Sequence, residues 1–367
     1  MKTDIKSIIK EKNRAEKKRE MLNREWYSLR SILGNQWAIF YFLLGGREAG
    51  KSYAVTDFYV RQFKKYGRPF YWLRLTEASQ KKLLANNAEK LIDPDIQRKY
   101  NLDIVTSAGN VYEVISRDKR GKIKEKKLMA RVLALNTFYN DKGSGYFDKD
   151  FLLDPKMYYN ICLDEMQPEQ GEKRTFDVLY AFTNQLENLV RSTKQKLRVF
   201  CVGNTLEQAS DILCAFNFIP EEFGRYKLKK KRAVIEYMEP TEAYLKRRKG
   251  TVADILMPEA STFTNKIETD DSLVSKKRLV KPSLIIKFRK GTSSGRFTVW
   301  DDNLIAPWNG EIAPTISMRP YLDEVFIAAQ RDNVISIFDT RGYKFKNLIT
   351  FKRFQKEIEL IKPRKGA

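Results

Sequence analysis

The segment Phe40–Val55, FYFLLGGREAGKSYAV, constrains the fold more than any other part of the chain. An apolar run of strand character stops at two glycines, and Gly45 to Ser52 then has the form G-x-x-x-x-G-K-S. Glycines let a loop curl so that successive backbone N–H groups turn toward one point, and a helix opening near Lys51 adds the positive end of its dipole. A loop of this kind between a strand and a helix cradles phosphate. Gly45, Gly46, Arg47, Glu48, Ala49 and Gly50 would wrap the anion, Lys51 neutralise the β/γ charge and Ser52 offer its hydroxyl to Mg²⁺. The expected ligands are ATP and Mg²⁺.

Four runs with little polar alternation read as strands buried on both faces: WAIFYFLL (37–44), PFYWLRL (69–75), YYNICLDE (158–165) and LRVFCVGN (197–204). Helical stretches at 51–66, 77–88 and 175–190 lie between them, which predicts a doubly wound α/β domain on a parallel sheet. Residues 104–135 read as a hairpin turning near Asp118–Gly121. Beyond Pro240 a basic helical segment and a polar stretch lead to a second region. There SLIIKF, GRFTVW, EVFIAA and VISIFDT read as strands before a final helix, an α+β pattern.

The strand YYNICLD ends in Asp164 and Glu165. An acidic pair closing a buried strand is costly unless a cation or water answers it. Beside a phosphate loop, Asp164 would share Mg²⁺ with Ser52, and Glu165 would polarise the attacking water as general base. Asn204, at the tip of LRVFCVGN, is suited to sensing a γ-phosphate. Two arginines compete to be the finger that stabilises transferred charge: Arg191, acting on a neighbouring subunit, and Arg47, acting within its own loop. Gln36, ahead of the first strand, is the candidate adenine contact.

Lys and Arg outnumber Asp and Glu by 69 to 46, a net charge of +23 that calls for a polyanionic partner, most simply nucleic acid. Lys119, Arg120, Lys122 and Lys124 of the hairpin, with Lys142 in NDKGSGY, are candidates for contacts to a phosphate backbone without sequence preference; a solvated turn accounts for the same charges. The chain has no histidine, which excludes Ser-His-Asp and Cys-His catalysis. Its three cysteines, Cys162, Cys201 and Cys214, read as reduced thiols of a cytosolic protein. No run approaches the roughly 20 apolar residues of a membrane span, so no membrane partner is expected.

In their order and spacing, GGREAGKSYAV with FYWLRL after it, ICLDEM, LVRSTKQKLRVFCVGN and LIIKFRKGTSSGRFTVWDDN resemble the genome-packaging ATPases of small φ29-like podophages, from about residue 36 onward. The resemblance implies an additional-strand (ASCE, terminase-like) P-loop fold. It further implies a homopentameric ring on the portal (connector) of an empty procapsid, translocating double-stranded DNA at the expense of ATP. Carried over, Lys51 and Ser52 match the phosphate loop and Asp164 and Glu165 the acidic pair. Arg191 matches the region of a trans-acting arginine, and Asn204 a sensing position. The division implied is a basic helical arm (1–35), a P-loop ATPase domain (36–239) and a linker or lid (240–278). An RNase H-like, vestigial nuclease domain (279–367), basic and suited to DNA or portal binding, follows. Lys287 stands where a metal-binding acid would be expected, and Asp301, Asp302, Asp323, Glu324 and Asp339 are scattered, so no nuclease activity is expected. The arm is longer than the usual lead-in of such proteins; it either binds a prohead RNA, as some relatives do, or replaces one. The expected place of work is the host cytoplasm, transiently on the portal vertex, and not the mature virion. Three other readings stay open: another P-loop DNA motor (helicase or plasmid-transfer ATPase), a DNA-binding switch that does not hydrolyse, and a terminase-like nuclease, which would cut DNA with a metal held by a C-terminal carboxylate pair.

Overall fold

The structure is a computed structural model that describes residues 24–140, 158–167, 176–190, 196–204, 210–256, 273–275, 282–288, 295–300, 303–307, 318–321 and 328–362. By their contacts they fall into two units, Met1–Glu207 with Pro220–Ile267, and Gln208–Ile219 with Glu268–Ala367. The short segment 208–219, inside the stretch read as 36–239, thus groups with the second unit.

In the first unit, helix α1 (Arg30–Leu33) leads to strand β1 (Phe40–Leu44), buried from Tyr41 onward. Helix α2 (Lys51–Tyr66), strand β2 (Phe70–Arg74) and helices α3 (Glu77–Ala88) and α4 (Pro94–Tyr100) follow. An antiparallel trio comes next, β3 (Ile104–Ser107), β4 (Asn110–Arg117) and β5 (Ile123–Ala134). Strand β6 (Tyr158–Asp164), helix α5 (Val178–Val190) and strand β7 (Lys196–Gly203) complete the central layer. Beyond α6 (Asp211–Ala215), which belongs to the second unit, come the hairpin β8 (Gly224–Leu228) and β9 (Ala233–Tyr237) and helices α7 (Glu242–Arg248) and α8 (Val252–Leu256).

These nine strands form one sheet in the order β3-β4-β5-β2-β6-β7-β1-β9-β8, parallel from β5 through β9. Strand β7 stands between β1 and β6, so the strand that carries the loop and the strand that carries the acids flank a third. Their near-continuous apolar sequences are explained by burial on both faces. Helix α2 turns Val55, Tyr59 and Phe63, spaced by four, onto the sheet. Tyr59 donates its hydroxyl to the Ile161 carbonyl at 2.7 Å, and its ring lies 6.0 Å from that of Phe200, which also meets Tyr41 at 5.1 Å. Each such burial stabilises by about 1.5–3 kcal/mol, and together they fix α2, and so the loop before it, against the sheet.

The second unit holds β10 (Pro282–Lys287), β11 (Arg296–Trp300), β12 (Leu304–Pro307), β13 (Met318–Tyr321), α9 (Ala328–Asp339), β14 (Lys344–Phe345) and α10 (Leu348–Ile361). The strand order is β13-β10-β11-β12-β14: β10 to β12 form an antiparallel meander, and β13 runs parallel to β10. Phe288 and Phe297 each pack at 5.1 Å on Phe354 of α10. One expectation is corrected here. VISIFDT is not a strand but lies within α9 and its exit, and EVFIAA enters the same helix at Ala328. A short apolar run does not by itself separate a strand from a buried helix; here Val334 is buried, and Phe338, one turn on, packs against Phe345 and Phe354.

Candidate active site

β1 ends at Leu44, and Gly45 still donates its N–H to the Gly203 carbonyl of β7 at 3.3 Å. The loop then curls through two left-handed residues, Glu48 (φ 61) and Gly50 (φ 81), before α2 opens at Lys51. A Cβ on Gly50 would also lie 3.1 Å from the Trp26 ring, so the position suits only glycine.

The loop carbonyls are held by Lys51 and by donors from distant parts of the chain. Lys51 Nζ donates to Gly45 at 2.8 Å and Gly46 at 2.5 Å. The Arg47 carbonyl accepts from Tyr244 Oη at 3.0 Å and Arg248 Nη1 at 3.1 Å. That of Glu48 accepts from Arg247 Nη2 at 2.6 Å, and that of Ala49 from the Tyr27 N–H at 3.0 Å. Because a planar peptide sets each N–H opposite the preceding carbonyl, holding these three carbonyls turns the amides of Glu48, Ala49 and Gly50 the other way, as an anion nest requires. Helix α7 and the Trp26–Tyr27 segment form this brace, with the Arg247 guanidinium 3.7 Å over the Trp26 ring.

Across the cleft, Ser52 Oγ donates to Asp164 Oδ1 at 2.9 Å. Arg74 Nη1 donates to Asp164 Oδ2 at 2.8 Å, and its Nη2 pairs with Glu165 Oε2. Arg74 and Asp164 are buried, whereas the Glu165 side chain is half exposed on a left-handed residue (φ 54). Asn204 Oδ1 lies 3.4 Å from Lys51 Nζ. Burial pulls the Lys51 ammonium down to about 8; attraction to Asp164 opposes this, and repulsion from Arg47 adds to it. Lys51, Ser52, Asp164, Glu165 and Asn204 line a cleft of about 420 Å³.

Gly45 to Ser52, Asp164, Glu165 and Asn204 are therefore brought together as expected from the sequence. Among the described residues no cluster of three or more His, Cys, Asp or Glu could cage a metal. Mg²⁺ does not need one, since it takes one or two protein oxygens and fills its shell with phosphate and water. The adjoining Ser52 and Asp164 oxygens fit it.

Arg191 and Lys142 lie outside the described residues, as do Asp301, Asp302, Asp323 and Glu324; Asp339, at the end of α9, pairs with Lys362 at 2.6 Å. Lys119, Arg120, Lys122 and Lys124 are exposed about the tip of the β4–β5 hairpin, away from the cleft. Gln36 is corrected: it precedes β1, at the opposite end of that strand from the loop.

Sequence reasoning passed over Arg74. A lone cation closing the apolar run FYWLR was its only signal. It passed over a second cavity as well, about 590 Å³, which shares Ala49 with the cleft and is walled by Tyr27, Phe223, Tyr237, Met238 and Tyr244. In that wall Glu236 accepts from Tyr27 Oη and Arg225 Nη2, each at 2.9 Å. Burial, then Glu236, pushes the Tyr27 phenol well up.

A mostly parallel sheet, a phosphate loop, an acidic pair and one strand interposed between them define an α/β fold of the additional-strand P-loop class. In particular, the chain is homologous to the DNA packaging protein of Bacillus phages phi29 and PZA. It is 22% identical to each over 209 residues, which cover 57% of this chain and 55% of each relative. The chain thus spans about half the length of the curated relatives it matches. Its fold is that of a chain in the bacteriophage Phi-29 viral genome packaging motor assembly, with a TM-score of 0.58 and 18% identity over 92% of this chain and 100% of that one. The Phi-28 DNA packaging motor is similar at a TM-score of 0.58 and 14% identity over 94% and 100%. No family profile matches the chain. Among the described residues no helix is long and apolar enough to cross a membrane.

Proposed function

We propose that this chain is an ATP-hydrolysing motor subunit that moves double-stranded DNA into a viral capsid. The observation that carries the reading is the joining of the loop to the acidic strand, Ser52 to Asp164 at 2.9 Å with Glu165 beside them. The phosphate chain lies on the amides of the loop with Lys51 against its β and γ groups, and the aromatic cavity beside Ala49 takes the base. Ser52 and Asp164 hold Mg²⁺, which supplies charge neutralisation at the phosphates. Arg74 orients both carboxylates: it fixes Asp164 and tethers Glu165 until that carboxylate swings to accept a proton from the attacking water. Asn204, next to Lys51, is placed to respond to the γ-phosphate. The developing charge is met by an arginine, Arg191 of a neighbouring subunit in preference to Arg47, which assigns the working form to a ring, a pentamer by resemblance. Similarity to the phage DNA packaging proteins supports DNA as the cargo; duplex DNA and docking on the portal of a procapsid in the host cytoplasm follow from the resemblance. The hairpin cations Lys119, Arg120, Lys122 and Lys124 are suited to the backbone of that duplex. The second unit is assigned to docking or DNA holding, without nuclease chemistry.

ATP hydrolysis by the purified chain, with and without long duplex DNA and procapsids, beside a Glu165→Gln variant, tests this. Turnover stimulated by duplex and lowered about 10²–10⁴-fold in the variant is expected, with nucleotide binding retained. Hydrolysis that survives Glu165→Gln unchanged would remove Glu165 from the chemistry. Binding of ATP and DNA without turnover, even with procapsids present, would favour the switch reading.

A further inference from the structure

The turn joining β8 to β9 reads KLKKKR, and its Lys227, Lys229, Lys230, Lys231 and Arg232 are all exposed. The turn has a defined geometry: Lys229–Lys231 is a single 3-10 turn, Arg232 closes it in the left-handed region (φ 49), and five residue pairs set the register of the hairpin. It is also anchored below β1, since the Arg232 carbonyl accepts from Ile39 and Phe40 and its side chain donates to the Trp37 carbonyl at 3.3 Å. The hairpin's single internal carboxylate, Glu236, is already paired with Arg225. No carboxylate among the described residues pairs with the five cations at the turn. Nothing in the packing of β8 on β9 requires lysine there, and adjacent unscreened cations repel one another.

The placement of the turn is informative. Because β5 through β9 run parallel, this turn lies at the end of the sheet opposite the phosphate loop. The β4–β5 hairpin leaves from the same end: Ala130 pairs with Phe70 at the start of β2, and the seven residues Ile123–Met129 run beyond it, about 20 Å of overhang. From β5 to β9 there are five strand spacings, β5-β2-β6-β7-β1-β9, or roughly 24 Å. One helical turn of duplex is about 34 Å, so a single duplex can lie against both cationic projections.

We propose that the KLKKKR turn is a phosphodiester-binding surface, and that with the β4–β5 hairpin it forms a two-armed cradle for a nucleic-acid duplex at the end of the sheet remote from the ATP cleft. It rests on the nucleic-acid cargo and the hairpin contact of the proposed function, and a binding equilibrium without nucleotide tests it apart from hydrolysis. Each phosphate contact contributes about 0.9 to the slope of log affinity against log salt. In the full chain, Lys229→Ala/Lys230→Ala/Lys231→Ala should lower that slope by about 2.7 for a 30-base-pair duplex read by fluorescence anisotropy. Affinity should fall at least roughly tenfold near 100 mM salt. Lys81→Ala/Lys82→Ala/Lys90→Ala, which removes equal charge from helix α3 and the residues after it, should leave the slope unchanged. Replacing the three turn lysines by arginine should retain binding, and basal ATP hydrolysis should stay intact in every variant. Running duplex DNA beside duplex RNA identifies the source: loss on DNA alone assigns DNA, and loss on both assigns the shared backbone. A slope in the turn variant no lower than in the α3 control overturns the proposal.

Discussion

Lys51 should couple phosphate binding to the uptake of a proton. It is 5% exposed, and burial pulls its ammonium from the ordinary 10.5 to about 8. With such a value about half of the molecules hold a neutral Lys51 at pH 8, roughly one in ten at pH 7 and roughly nine in ten at pH 9. Polyphosphate beside the ammonium restores its charge. Binding should therefore take up about 0.1 proton at pH 7, about 0.5 at pH 8 and about 0.9 at pH 9. Titration calorimetry with Mg²⁺ and ADP, in buffers of different ionisation enthalpy, counts these protons without interference from hydrolysis. Lys51→Arg, whose guanidinium keeps its proton throughout, should lose the pH dependence. A stability effect accompanies it. The folded value lies below the unfolded one, so the unfolded chain binds more protons between about pH 8 and 10.5, and stability rises with pH across that window. The gap corresponds to roughly 3 kcal/mol, and bound nucleotide should flatten the rise. A proton count that stays flat from pH 7 to 9, or an equal slope in Lys51→Arg, would refute the reasoning.

Arg74→Leu should lower stability by roughly 3–5 kcal/mol, because it leaves the buried Asp164 carboxylate with Ser52 alone. The half-exposed Glu165 adds little to that figure. Urea denaturation reads the loss, which Mg²⁺ and ATP together should reduce; an unchanged midpoint would mean that Arg74 does not support the pair. Arg247→Ala removes the stack on Trp26 and the bond to the Glu48 carbonyl. With a charged hydrogen bond worth about 1.5–3 kcal/mol, ATP affinity should fall roughly tenfold or more in a nucleotide-fluorescence titration, and Lys at this position should recover only part. Wild-type affinity in Arg247→Ala would detach helix α7 from the loop.

The phosphate loop was legible in the sequence because its chemistry is local. Gly50 must take a left-handed φ, Lys51 must open a helix, and an apolar run must come before them, all within sixteen residues. Asp164 and Glu165 were legible for the same reason, as acids closing a buried strand. Both depend on conformational and ligand preferences of near neighbours, which do not change with what lies across the sheet. Tertiary structure decided the rest. Arg74 meets the acids because β2 pairs with β6 so that Leu73 faces Leu163, one residue short of Asp164. Tyr244, Arg247 and Arg248 reach loop carbonyls some 200 positions away. The aromatic cavity is assembled from segments near 27, 223 and 237, and VISIFDT becomes helix because its apolar side chains find a core along one helical face. Such contacts are set by which apolar surfaces bury together over the whole chain, and no local window of the sequence contains that information.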